Sequence, residues 1–257
     1  MTDFLWRPPR KEPGIKRRPL DKRDPANIQY YHNWGFTVYR TYYGQSSDSD
    51  KHWETLIDAM TRQSHLALGF YEAERIFQED QHQIWGLYGD KSVYVDDISR
   101  LKKLFRLTLR EDPSLLDGLD IAQIRELCRK ELPEARKNIE GAKSCFVFVA
   151  DEEVLKDIAR GVFVIKVVGY DWDEDRLGQC WMRIPTGEVL ELWQALLLWD
   201  SIDSDPYREI KDHWFGEESK RYTWPGDASI HPTGGCSEAR TAWPESRSRF
   251  SQFRLDY

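Results

Sequence analysis

The sequence predicts one α/β or α+β domain with a small, mostly buried sheet flanked by several helices. Residues 35–43 are rich in aromatic and β-branched side chains and are closed by Gly44, so they read as a strand. Ser46, Ser47, Asp48, Ser49 and Asp50 then offer oxygens to the free N–H groups of a helix start. Trp53, Leu56, Ile57 and Met60 follow at the spacing of one helical face. Farther on, 145–149 is a continuous apolar run and 162–168 a strongly β stretch, separated by a short helical pattern. This strand, helix, strand order loosely repeats that of 36–95, and two such units can share one sheet. Right-handed crossovers then set helices against it.

The remaining elements follow in order. Residues 1–28 carry Pro8, Pro9, Pro13, Pro19 and Pro25 among charges, a composition that predicts a flexible basic arm. Beyond the first helix, 66–71 is an apolar run, and 72–91 reads as a polar loop with Gly86 and Gly89, a candidate lid. Residues 92–95 suggest a short strand. Asp97 or Ser99 caps a helix expected to reach Glu111, with Ile98, Leu101, Leu104, Phe105 and Thr108 on one face. Ile121, Ile124, Leu127 and Cys128 mark another helix, expected to stop before Pro133. Asp151 caps the helix carrying Val154, Leu155 and Ile158, and Gly161 ends it. A segment at 181–184, a helix over 188–199 and a last helix over 207–215 complete a globular domain spanning 29–218. Trp-Pro, Gly-Gly and Ser-Arg pairs then predict an irregular arm over 219–257, packed on the body.

Composition narrows the function classes. A chain of 257 residues with 40% hydrophobic and 13% aromatic side chains builds a proper core. No apolar run approaches the roughly 18 residues of a membrane span, and the N-terminus lacks the apolar stretch of a signal peptide, so a cytoplasmic protein is expected. Four cysteines without a C-x-x-C pair read as buried free thiols. Residues 1–25 carry a local charge of +4, leaving −11 for the rest of a chain whose total is −7. Such a basic arm, with Lys16, Arg17 and Arg18 at its centre, either meets an anionic partner such as tRNA or is a solvated tail.

Two constellations carry possible chemistry. At the turn after the first strand, Ser46 and Ser47 lie beside Tyr39 and Arg40. A hydroxyl at a helix N-terminus is a nucleophile where a base reaches it, because the helix dipole favours the alkoxide and any oxyanion that follows. The plainer reading is that these serines cap the helix. The second constellation is G-Y-D-W-D-E-D, in which Asp171 and Asp173, with Asp151 upstream, suit a guanidinium; the plainer reading is a solvated acidic turn. Arg176 and Met182 stand where an EF-hand loop needs Gly and Glu, and no metal is expected. Neither G-x-G-x-x-G nor G-x-x-x-x-G-K-[ST] occurs, so no nucleotide cofactor is expected either. Any site is expected where the 46–50 turn meets the strand ends near Ala150 and Tyr170.

The motifs W-G-F-T-V-Y-R-T-Y-Y-G, C-F-V-F-V-A-D-E-E-V-L and W-M-R-I-P resemble those of a large group of fungal proteins, over about residues 28–200. The chain is also similar to the fungal arginine-containing cyclodipeptide synthases, compact cytosolic enzymes that join amino acids from aminoacyl-tRNAs. No defining motif of that family matches residue by residue, so no catalytic role carries over. The bacterial cyclodipeptide synthases hold their serine in a differently built G-x-S turn, and only the order strand, serine turn, helix is shared. The resemblance implies a transferase of secondary metabolism with aminoacyl-tRNA as partner and a small-molecule product. The alternative is a non-enzymatic interaction or scaffold protein gripping its partner through Tyr and Trp side chains.

Overall fold

The computed structural model describes residues 2–9, 20–44, 47–78, 91–138, 146–170, 181–190 and 192–193. At its centre is strand β1 (Trp34–Arg40), every residue of which is buried. Strand β2 (Phe105–Arg110) lies parallel to one side of it and β3 (Phe146–Ala150) parallel to the other. Antiparallel β4 (Val164–Gly169) and β5 (Trp181–Pro185) extend the sheet to the order β2-β1-β3-β4-β5.

The chain leaves β1 toward β2 and then crosses back past β1 to β3. Right-handed connections in opposite directions send their helices to opposite faces. Helices α2 (Asp48–Gln78) and α3 (Lys91–Leu104), between β1 and β2, cover one face, after the four-residue α1 (Thr2–Leu5) that opens the chain. Their Trp53, Leu56, Met60, Leu101 and Leu104 pack on Trp34, Phe36, Val38 and Phe148. The short α4 (Pro113–Leu116) and α5 (Ile121–Asn138), between β2 and β3, cover the other face, where Leu116, Ile124 and Cys128 meet Tyr39, Val147 and Val149. Helix α6 (Glu152–Ala159) returns to the first face and packs on α2. A sheet clothed on both sides explains why every residue of β1 and β3 is buried.

The expectation of one mixed domain with a small buried sheet holds for the described residues, and several element boundaries change. Helix α2 runs through 66–71, which is therefore no separate segment. Residues 92–95 are helical, and the helix expected through Glu111 stops at Leu104. Phe105 and Thr108 fit a helical face, but F-R-L-T-L-R also alternates with period two, and the open edge of β1 decides for a strand. Two local devices fix this change. Trp34 Nε1 donates to the Leu101 carbonyl at 2.7 Å, satisfying one of the helix's last four acceptors. Gly35, at φ 133°, lets the Arg106 carbonyl approach to where a Cβ would stand 2.0 Å away. Helix α5 continues past Pro133 to Asn138, and β1 ends at Arg40 rather than Tyr43. Val189, Leu190, Leu192 and Trp193, from the helix expected over 188–199, are buried, with Trp193 at 5.3 Å from the Trp34 ring.

The N-terminal segment also differs from a free arm where it is described. Leu5 is completely buried in the main core. The Trp6 ring lies 4.8 Å from that of Tyr31, and the backbone closes through Arg7 N to Tyr30 O and His32 N to Leu5 O. Chain composition predicted mobility, but Leu5 and Trp6 pack against the body and hold the described residues 2–9 in place. Lys16, Arg17, Arg18, the 219–257 arm, the 207–215 helix and most of the candidate lid lie outside the described residues. Among the described residues no helix is long and apolar enough to cross a membrane.

Leu5→Ala should cost about 2–5 kcal/mol, the usual loss for a fully buried leucine, in a urea titration at pH 7. A truly unattached arm would show no change.

Candidate functional site

The carboxyl ends of β1 and β3 lie side by side, with Arg40 opposite Ala150. From here the chain departs in opposite directions, β1 toward β2 and β3 toward β4. Open α/β sheets bind ligands above such a divergence. Thr41 bridges it, donating its N–H to the Ala150 carbonyl at 3.0 Å and accepting from Gly118 N at 2.9 Å. The Thr41 hydroxyl is buried with no hydrogen-bond partner among the described residues.

Arg40 is the distinctive group at this edge. Strand alternation points its side chain to the α2 face, and the guanidinium meets the first turn of that helix with only 4% of the residue exposed. Nη2 donates to Ser49 Oγ at 3.0 Å and to Asp50 Oδ1 at 2.6 Å, while Nε donates to the Tyr42 carbonyl at 3.0 Å. Its carbon lies 4.5 Å from the centre of the Tyr43 ring and 5.8 Å from that of Trp53. A cation at the positive end of a helix dipole is unfavourable alone, so Asp50 and the aromatic faces compensate it. Nη1 donates to nothing among the described residues.

The expected site residues are sorted by this geometry. Ser47 is exposed just before α2, and its carbonyl accepts from Lys51 N at 3.3 Å. Ser46 lies outside the described residues. Tyr39 is turned away from Arg40: it sits in the α5-side core and donates its hydroxyl to Glu131 at 3.1 Å. Burial pushes that phenol far above its ordinary range, so it is protonated at neutral pH. The Tyr43 phenol is pushed up to about 12, mainly by burial, with Arg40 opposing and Glu111, Asp112 and Asp117 adding to the rise. Burial likewise raises the free Cys128 thiol to about 11, leaving it unreactive.

Asp151 is in the expected place, at the end of β3, but both its oxygens are engaged. Oδ1 accepts from Val154 N at 3.1 Å as the cap of α6, and Oδ2 accepts from Lys166 Nζ at 2.6 Å. Lys166 is buried and pairs also with Glu153, while Arg183 pairs with Glu153 and Asp157. This network fastens α6 to β4 and β5. Asp171 and Asp173 lie outside the described residues. Tyr170, which precedes them in sequence, follows Gly169, the last residue of β4, which pairs with Phe146 at the start of β3. A site joining Ala150 to Tyr170 is therefore excluded, because the antiparallel sense of β4 brings its C-terminus to the end of the sheet opposite Ala150. Among the described residues no three His, Cys, Asp or Glu side chains converge to hold a metal ion.

Sequence reasoning missed the partnership of Arg40 with Ser49 and Asp50. The signal was present only as a cap-rich turn, and no periodicity encodes how sharply the chain folds back from strand to helix. No family model, curated protein or solved structure matches the chain.

The Lys166 hydrogen bond holds the Glu153 carboxyl below its ordinary 4.5. A depressed acid contributes stability above its unfolded pKa and loses it as pH falls through the folded value. Melting temperature should therefore drop as pH falls below about 4.5. Glu153→Gln should be less stable at pH 7 and show a shallower acid decline in paired thermal scans.

Proposed function

We propose that this protein is a small-molecule biosynthetic enzyme, and that its reaction is tRNA-dependent cyclodipeptide formation using arginyl-tRNA. The observation that carries this reading is the buried Arg40 guanidinium at the carboxyl end of β1, held toward the first turn of α2 with Nη1 uncommitted among the described residues. A fixed donor beside a helix N-terminus suits the carbonyl of an aminoacyl ester, whose oxygen gains negative charge when attacked. The exposed Ser47 supplies a hydroxyl at that same turn, and Ser46 precedes it in sequence. An aminoacyl ester arrives activated, so the absence of a nucleotide-binding motif is consistent with the reaction. Lys16, Arg17 and Arg18 are the groups proposed to meet tRNA phosphates; no partner for the arginyl side chain is assigned, because Tyr170, which precedes Asp171 and Asp173 in sequence, lies at the opposite end of the sheet from Arg40.

An interaction protein is the second reading, favoured by Leu109 and Leu115, which are exposed on and just beyond the edge strand β2. Edge strands with exposed apolar groups are recurrent docking sites.

Expression in a bacterial host, followed by mass spectrometry of the medium, separates the two. Arginine-containing diketopiperazines are expected from the parent chain, and Arg40→Lys should reduce them by tenfold or more, since a lysine lacks the fork that holds Ser49, Asp50 and a third acceptor together. Soluble parent protein without such products sinks the enzymatic reading.

The tRNA contact requires a point-mutation test, because removing 1–25 would also remove the core residue Leu5. Replacing Lys16, Arg17 and Arg18 by Ala should flatten the dependence of log K on log salt by about 0.7–0.9 per lost contact, equally for different tRNAs. An unchanged slope would make the segment a solubility element.

A further inference from the structure

We propose that Ser47 is a phosphorylation site for an acid-directed serine kinase, and that its phosphate is seated by Arg40 at the N-terminus of α2. The inference concerns a modification and does not rest on the enzymatic reading.

Sequence and accessibility select the residue. Ser47 opens the run S-D-S-D, which sets carboxylates one and three positions after the hydroxyl. The Asp48 and Asp50 side chains are 65% and 63% exposed, so a kinase with a basic substrate groove can reach both. Ser47 itself is exposed, whereas Ser49 is 6% exposed and its hydroxyl is held by Arg40. Ser46, one position earlier, is out of phase with the two carboxylates.

The transfer is ordinary phosphoryl chemistry. The Ser47 Oγ bonds to the γ-phosphorus of a nucleoside triphosphate as the bond to the bridging oxygen breaks; the nucleoside diphosphate leaves and the hydroxyl proton passes to the kinase's base. The product carries close to two negative charges at the residue before a 31-residue helix. There the first-turn N–H groups and the helix dipole favour an anion. Arg40 supplies the second element: it is almost fully buried, it already binds residues two and three positions beyond Ser47, and Nη1 donates to nothing among the described residues. Lys51, one turn along, adds a second cation. Asp48 and Asp50 oppose the phosphate by repulsion, and the phosphate competes with Asp50 for the guanidinium. The modified turn thereby becomes an anion-filled version of the candidate site.

Full-length protein treated with an acid-directed serine kinase and Mg-ATP should gain one phosphate, mapped to Ser47 by peptide mass spectrometry. A Asp48→Asn, Asp50→Asn double variant should react at least tenfold more slowly. The phosphoprotein should melt about 1–4 °C higher than the unmodified protein at low ionic strength, and the rise should shrink in 1 M salt, about the level at which the screening length is 3 Å. In Arg40→Met the difference between phosphorylated and unmodified protein should vanish, a comparison made within one variant and so independent of its own stability. A phosphate on Ser46 or Ser49, no phosphate with a kinase active on a control peptide, or a melting rise that survives Arg40→Met would each overturn the proposal.

Discussion

Strand β1 is hydrogen-bonded to β2 on one side and to β3 on the other, and side chains cover it on both faces. A strand in that position has no solvent to satisfy its polar groups, so the ladders on both sides are obligatory and the register is not free to slip. Trp34 and Arg40 stand at its two ends, and each ties a helix terminus to the sheet. The indole of Trp34 takes up a terminal carbonyl of α3, and the guanidinium of Arg40 takes up Ser49 and Asp50 at the start of α2. The crossover from β1 to β2 is thus pinned where it leaves the sheet and where it returns.

The same constraint shapes the candidate site. A buried guanidinium is costly unless its donors are engaged, and leaving it with an unpaired partner costs more than the pair gains. The protein holds Arg40 there with one near carboxylate, one hydroxyl, a carbonyl and two aromatic faces. A lysine would satisfy the charge but not the three directions at once. The two proposed roles, ester binding and a phosphate seat, both fall on this residue, which also fastens the start of α2 to the sheet.

Two further polar systems do different work. The Asp151, Glu153, Asp157, Lys166 and Arg183 network joins α6 to the antiparallel half of the sheet, and its groups are committed to one another. The Tyr39, Glu131 and Arg110 set does the same between β1, β2 and α5. Among the described residues, both networks hold layers together. Local order at the sheet ends, rather than the number of acids or hydroxyls, distinguishes the Arg40 edge.

The sequence by itself determined the mixed class, the first strand, the cap-rich turn, the α6 cap at Asp151 and the apolar faces of α2 and α5, because each rests on periodicity or on a local hydrogen bond. It could not decide between helix and strand for Phe105 and Thr108, whose spacing suits both periods; the vacant edge of β1 made that choice. It placed Leu5 in an arm, because composition averages over neighbours while burial depends on one side chain finding a cavity. It grouped Ser46, Ser47, Tyr39 and Arg40 since they are close in the chain, but strand alternation put Tyr39 and Arg40 on opposite faces. Likewise, only the antiparallel sense of β4 carried Tyr170 to the opposite end of the sheet from Ala150. Direction, register and the angle at which a strand folds back onto its helix are properties of the packed layers, and no local pattern of residues contains them.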